Sequence, residues 1–172
     1  MQENINTENT DKEEKDLQKL LTNKYELTFL VYAYISDEIV QEIVTQLEQN
    51  NINSFYFEQS ESIGRYDILH KGKKAKVTMY NIIFLADNQA IPNIKKTIKS
   101  NTNLLKFLII KYGHNVVPKI LDYKYPIEMK KYMFESMRIM PLELTKYTPS
   151  QQKKLAINIK RARLLGLIDR TK

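Results

Sequence analysis

Tyr25-Glu-Leu-Thr-Phe-Leu-Val-Tyr-Ala-Tyr34 is the stretch on which the fold turns. It is dense in aromatic and β-branched residues, which fit a pleated, buried surface, and it reads as a strand. Ser36 follows as a helix N-cap, with Asp37 and Glu38 where a helix dipole favours negative charge. Ile39, Val40, Ile43, Val44 and Leu47 then recur at helical spacing and give one apolar face. Residues 52–69 read as a second strand, interrupted or twisted near Gly64. Lys71-Gly72-Lys73-Lys74 is a basic turn, and Val77–Ala86 is a third strand with the apolar centre Ile82-Ile83-Phe84-Leu85. Pro92 opens a second helix whose inner side carries Ile91, Ile94 and Ile98, and Leu104–Tyr112 is a fourth strand. The order β-α-β-β-α-β predicts an α+β, ferredoxin-like domain: a four-stranded antiparallel sheet with two helices on one face. That fold hosts many functions and does not choose among them.

Downstream the pattern changes. Gly113 and Pro118 lie in a short connection, and Pro126 fits the first turn of a helix over roughly residues 126–137, which Pro141 ends. Thr148-Pro149-Ser150-Gln151 is a helix start with a capping box, and the helix it opens should run to about Leu165. The expected organisation is a disordered acidic arm at 1–20, a ferredoxin-like domain at 21–112, a linker at 113–121 and a small helical basic module at 122–172. The arm is too poor in apolar residues to offset the entropy of ordering, although a short helix near Leu17–Leu21 fits.

The net charge of +7 is concentrated. Residues 1–20 hold three basic and six acidic side chains, residues 21–118 eleven and nine, and residues 119–172 thirteen and five. A polyanion is the natural partner of the last third. With Leu155 at the centre of a helical wheel, Leu155, Ile159, Ala162 and Gly166 form one narrow apolar stripe. Lys153, Lys154, Lys160, Arg161 and Arg163 occupy much of the rest, with Ile157 and Leu164 among them. Arginine forks two hydrogen bonds onto phosphate and lysine adds a mobile charge, so the helix reads as a nucleic-acid surface.

Other classes find little support. The chain has no cysteine, which excludes disulfides, iron–sulfur clusters and cysteine-ligated zinc. His70 and His114 sit apart and make a poor metal pair. No cofactor is expected. No apolar run is long enough to span a bilayer, and the first twenty residues resemble neither a secretory signal nor a mitochondrial presequence. A phosphate loop and a Ser-His-Asp order are both missing, and solvation explains Glu58, Glu61 and Asp67, so an enzyme is not expected.

The last third also resembles a family. Asp122-Tyr123-Lys124, Met129-Lys130-Lys131-Tyr132, Ile139-Met140-Pro141, Leu144-Thr145, Leu155-Ala156 and Ile159-Lys160-Arg161-Ala162-Arg163 follow, without a gap, the pattern of bacterial ribosomal protein S18. The resemblance is assigned to residues 119–168. Two departures stand out: the family's two arginines after the proline are Leu142 and Glu143 here, and its glycine after the threonine is Lys146. Residues 25–111 resemble ribosomal protein S6 through Tyr25-Glu26, Gly64-Arg65, Tyr80, Asn101, Leu104, Leu105, Lys106 and Lys111, but depart from it around Leu69-His70-Lys71.

The resemblances imply a non-enzymatic constituent of the small ribosomal subunit, in a bacterial cytoplasm or an organelle matrix. Its partners would be small-subunit rRNA and neighbouring small-subunit proteins, with no membrane, and its two modules would dock within one chain. Fusion would make that docking intramolecular, at high effective concentration. The residues expected on RNA are Lys130, Lys131, Arg138, Lys146, Lys153, Lys154, Lys160, Arg161 and Arg163. Leu155, Ile159, Ala162 and aromatics such as Tyr132 and Phe134 are expected to face the first domain. The alternative from the same residues is a non-ribosomal RNA-binding regulator or chaperone.

Overall fold

Alternation along the strands divides the first domain's apolar residues between two sheet faces. The structure, a computed structural model, describes residues 23–34, 37–50, 55–112 and 121–170. Strands β1 (Asn23–Tyr32), β2 (Phe55–His70), β3 (Lys73–Ala86) and β4 (Leu104–Lys111) form one antiparallel sheet in the order β2-β3-β1-β4. Helices α1 (Asp37–Asn50) and α2 (Ile91–Ser100) complete the ferredoxin-like pattern. The arm at 1–20, the Ser36 cap, His114 and most of the 113–121 linker lie outside the described residues.

Tyr25, Leu27, Phe29 and Val31 of β1 and Tyr80, Ile82, Phe84 and Ala86 of β3 point to one face. There they pack with Val40, Ile43 and Leu47 of α1 and Ile94 and Ile98 of α2. Tyr25 stacks on Phe84 and Phe29 on Tyr80. The expected disturbance at Gly64 is a β-bulge: the register with β3 shifts between Ser62 and Gly64, and Gly64 has φ 155°, a value that favours glycine.

The opposite face carries Leu30, Ile68, Val77 and Met79, all buried, and the C-terminal segment covers it. That segment holds α3 (Pro126–Lys130), α4 (Leu142–Thr145) and α5 (Pro149–Leu165). Leu121, Tyr123, Met129, Met133, Leu155, Ile159, Ala162, Leu165, Leu167 and Ile168 share one buried cluster with the sheet residues. Burial of each large aliphatic side chain is worth about 1.5–3 kcal/mol, so this second face holds a core of its own.

Several expected boundaries change. The third strand begins at Lys73, not Val77, because His70 pairs with Lys73. The turn shrinks to Lys71 and Gly72, both at positive φ (51° and 77°), the backbone of a tight two-residue hairpin loop. The helix expected over 126–137 is only Pro126–Lys130. Beyond it the chain folds back on itself. Met133 bridges Ile139, the Phe134 N–H donates to the Arg138 carbonyl at 2.9 Å, and Met137 sits at φ 60°. Met129, Tyr132 and Met133 keep helical spacing, but tertiary packing overrides that weak local preference. Phe134, expected at the seam, is exposed, whereas Tyr132 packs against the second core and its ring lies 5.0 Å from that of Tyr147.

Candidate nucleic-acid interface

Helix α5 starts as its sequence requires. The Gln151 N–H donates to Thr148 Oγ1 at 3.3 Å, and the Gln151 side chain accepts from the Thr148 N–H at 2.9 Å. It ends on Gly166 at φ 77°, with the Gly166 and Leu167 N–H groups returning to Arg163 and Ala162 carbonyls. Leu155, Ile159 and Ala162 form its buried side, joined by Leu165 and by Asn158, whose Nδ2 donates to the Leu121 carbonyl at 2.6 Å. Gln152 ties the preceding segment to the helix: its Nε2 donates to the Met140 carbonyl at 2.7 Å, and its Oε1 accepts from Thr145 Oγ1 at 2.8 Å.

The Asp122-Tyr123-Lys124 tripeptide sits against buried polar groups of the sheet. Thr28 Oγ1 donates to Asn81 Oδ1 at 3.0 Å and lies 2.7 Å from the Tyr123 hydroxyl. The Thr28 and Tyr123 hydroxyls share that second bond, and either can be its donor. Lys124 Nζ reaches Glu26 Oε1 at 2.8 Å and Asp122 Oδ2 at 3.7 Å, and the Lys124 carbonyl accepts from the Tyr66 hydroxyl at 3.0 Å. Burial pushes the Tyr123 hydroxyl well above the usual phenol range, reinforced by the charge of Glu26. Burial opposes the charge on Lys124, but the hydrogen bond and charge of Glu26, with Asp122, outweigh it and hold the ammonium above its ordinary value. Burial raises Asp122 despite the neighbouring lysine.

The nine expected RNA-facing cations occupy three kinds of place. Lys130, Arg138, Lys146, Lys153 and Lys160 are exposed, and so is Lys131, which pairs with Glu128 at 2.6 Å. Lys154 is half-buried. Arg161 and Arg163 are also half-buried and already have partners. The Arg161 guanidinium lies 5.9 Å from the centre of the Tyr123 ring, within cation–π reach, and donates to Asn158 Oδ1 at 3.1 Å. Arg163 Nη2 donates to the Met137 carbonyl, and its Nε is buried without a partner among the described residues. Of the five cations expected on the outer side of the last helix, two have partners within the chain: Arg163 reaches the Met137 carbonyl of the 132–140 fold-back, and Arg161 lies over the Tyr123 ring. Ile157 and Leu164 are exposed, on the basic side of the helix.

Lys146 takes the left-handed conformation, φ 55° and ψ 23°, as the C-cap of α4. This is the position at which the resembled family has glycine. Its backbone explains the glycine, since a Cβ in that region costs about 1–2 kcal/mol. Sequence reasoning missed the sheet-side partners Glu26, Thr28, Tyr66 and Asn81. An isolated charge or hydroxyl in a strand carries no mark of a partner so far along the chain, and only the register Thr28↔Asn81 brings those two together. Among the described residues there is no metal-binding group of His, Asp and Glu and no helix long and apolar enough to cross a membrane.

A family model described as Ribosomal protein S18 matches residues 118–168. The small ribosomal subunit protein bS18 of Pelagibacter ubique (strain HTCC1062) is 44% identical over 48 residues, covering 28% of this chain and 52% of that protein. The bS18 of Trichodesmium erythraeum (strain IMS101) is 46% identical over 48 residues, covering 28% of this chain and 67% of that protein. The chain thus spans about half the length of the first of these relatives and two thirds of the second. Among solved structures, 30S ribosomal protein S6 from Thermotoga maritima has a TM-score of 0.45 and 14% identity, covering 52% of this chain and 87% of that chain. Through residues 118–168, the chain belongs to the ribosomal protein S18 family.

Proposed function

We propose that the protein is a structural constituent of the small ribosomal subunit that binds small-subunit rRNA, and that it joins an S6-like first domain to an S18 module in one chain. The observation that carries this reading is the division of labour within residues 121–170. The apolar side of α5 and the Asp122-Tyr123-Lys124 tripeptide are spent on the sheet, while Lys130, Arg138, Lys146, Lys153 and Lys160 remain exposed. Docking preorganises these cations before RNA arrives, which lowers the ordering cost of binding. A helix of α5's length alone in water is only marginally stable, so the sheet acts as its scaffold. The same reading gives the partners as small-subunit rRNA and neighbouring small-subunit proteins. It places the protein in ribosomes of a bacterial cytoplasm or an organelle and assigns it no catalysis.

Competition binding tests the reading. Structured small-subunit rRNA should displace random RNA of equal length, because folded RNA is recognised mainly by shape. Affinity should fall with salt at a log–log slope of roughly −4 to −5, corresponding to five or six phosphate contacts if the duplex-DNA coefficient transfers. Equal affinity for both RNAs would favour a general RNA chaperone; no binding to either would refute the reading.

A further inference from the structure

The charge of the first domain is not spread over it. Residues 65–76 hold five basic side chains, Arg65, Lys71, Lys73, Lys74 and Lys76, against one acidic, Asp67. The rest of residues 21–118 holds six basic and eight acidic. The whole positive excess of this domain therefore sits on the β2–β3 hairpin. All five of these cations are exposed, and none enters an ion pair among the described residues. Lys71 occupies the first turn position at φ 51°, a backbone that costs a lysine energy and holds a cation at the tip of the hairpin.

An aromatic pair stands beside this hairpin. The Tyr32 and Tyr34 rings are stacked at 5.2 Å with planes 15° apart, and Tyr34 is 82% exposed. Tyr32 is the register partner of Val77, and the Ala33 N–H donates to the Lys76 carbonyl at 3.0 Å, so the pair flanks the hairpin backbone at Lys76. An aromatic side chain exposed to this degree contributes nothing to the core. Its free face and the exposed lysines of the hairpin it flanks together have the composition that single-stranded nucleic acid uses: a stacking platform for a base and cations for its phosphates. The hairpin is also tied to the C-terminal module, through Ile68 in the second core and the Tyr66 hydroxyl on the Lys124 carbonyl.

We propose that the β2–β3 hairpin and Tyr34 form a second RNA-binding surface, one that takes an unpaired nucleotide on the tyrosine and the adjoining phosphates on Lys71, Lys73, Lys74 and Lys76. This deepens the RNA-binding reading above and rests on it. It assigns to the first domain a contact with an unpaired strand, whereas the C-terminal module takes folded RNA.

The test uses the full chain and a single-stranded RNA of about twelve nucleotides carrying 2-aminopurine, within the usual site size of such surfaces. The protein should quench the fluorophore on binding. Tyr34→Ala should abolish the quench and weaken binding about fivefold to a hundredfold. The variant with Lys71, Lys73, Lys74 and Lys76 all changed to Gln should flatten the salt slope by about two to three, at roughly 0.7 per phosphate. Lys153→Ala/Lys160→Ala should weaken binding of small-subunit rRNA and leave the short strand's affinity unchanged. Circular dichroism checks that each variant is folded. Binding of the short strand with unchanged affinity and slope in the hairpin variant would overturn the proposal. So would wild-type binding of rRNA without binding of the short strand, and both results would leave the C-terminal reading standing. Failure of the wild type to bind either RNA would overturn that reading and this proposal with it.

Discussion

Lys124 Nζ donates to Glu26 Oε1 at 2.8 Å across 98 residues of sequence. Glu26 is 5% exposed, and the bond joins the first strand of the sheet to the first turn of the family-matched segment. A buried pair of this kind adds little net stability over well-packed apolar groups, because both charges lose water. Its effect is to set register. The apolar side chains of the second face drive association, and only one placement of the module pairs Lys124 with Glu26 and Tyr123 with Thr28.

Removing one partner should therefore cost more than removing both. Lys124→Ala leaves a buried carboxylate without its cation and should lower stability in urea unfolding by about 3–5 kcal/mol. Glu26→Gln combined with Lys124→Met should recover most of that loss. Equal destabilisation by the single and the double variant would show that the pair is not coupled.

The same groups predict an alkaline limb in stability. Tyr123 and Lys124 have folded-state values raised above their ordinary 10.0 and 10.5. A raised group contributes stability that is fully present below its unfolded value and is lost as pH rises toward and through its folded one. Stability should fall progressively from about pH 10 upward, and Tyr123→Phe and Lys124→Met should each flatten that fall. Thermal melts between about pH 8 and 11 check it, and a flat profile in the native chain would contradict it.

Position 146 gives a gain. Lys146→Gly removes the left-handed strain at the α4 C-cap and should raise stability by up to about 1 kcal/mol, part of the relief being offset by the freer unfolded chain. RNA affinity should fall slightly at the same time, because an exposed cation is lost. A drop in the melting temperature would mean that the lysine side chain holds the cap.

The two halves of the Lys160-Arg161-Ala162-Arg163 run should separate experimentally. Lys160 is exposed, so Lys160→Ala should weaken RNA binding and leave the melting temperature within about a degree. Arg163→Ala strips the Met137 carbonyl of its donor, and it should destabilise the fold by about 1–3 kcal/mol. Equal effects of the two on stability would refute the inward placement of Arg163.

The sequence disclosed what local chemistry writes. Period-2 alternation in β1 and β3, the helical spacing of Val40, Ile43 and Leu47, and the capping box at Thr148 and Gln151 all appear where the pattern places them. What stayed hidden depends on distance along the chain. Asp122-Tyr123-Lys124 was visible as a motif, yet its contacts are with Glu26, Thr28 and Tyr66, none of which a local reading could connect to it. The fold-back at 132–140 hid for the opposite reason: Met129, Tyr132 and Met133 mimic a helix face, while the positive φ of Met137 is held by an arginine 26 residues away. Basic residues in one run looked equivalent, although burial had already given two arginines structural partners.

Sedimentation tests the central claim most directly. Cell extract is resolved on a sucrose gradient at physiological salt, and the protein is quantified against small-subunit rRNA in each fraction. A ribosomal constituent should comigrate with small subunits at about one copy per particle and persist in assembled ribosomes, because the docked module would engage rRNA throughout the particle's life. Recovery of the protein mainly at the top of the gradient, or on RNA outside the subunit peak, would contradict the account and leave a free RNA-binding protein in its place.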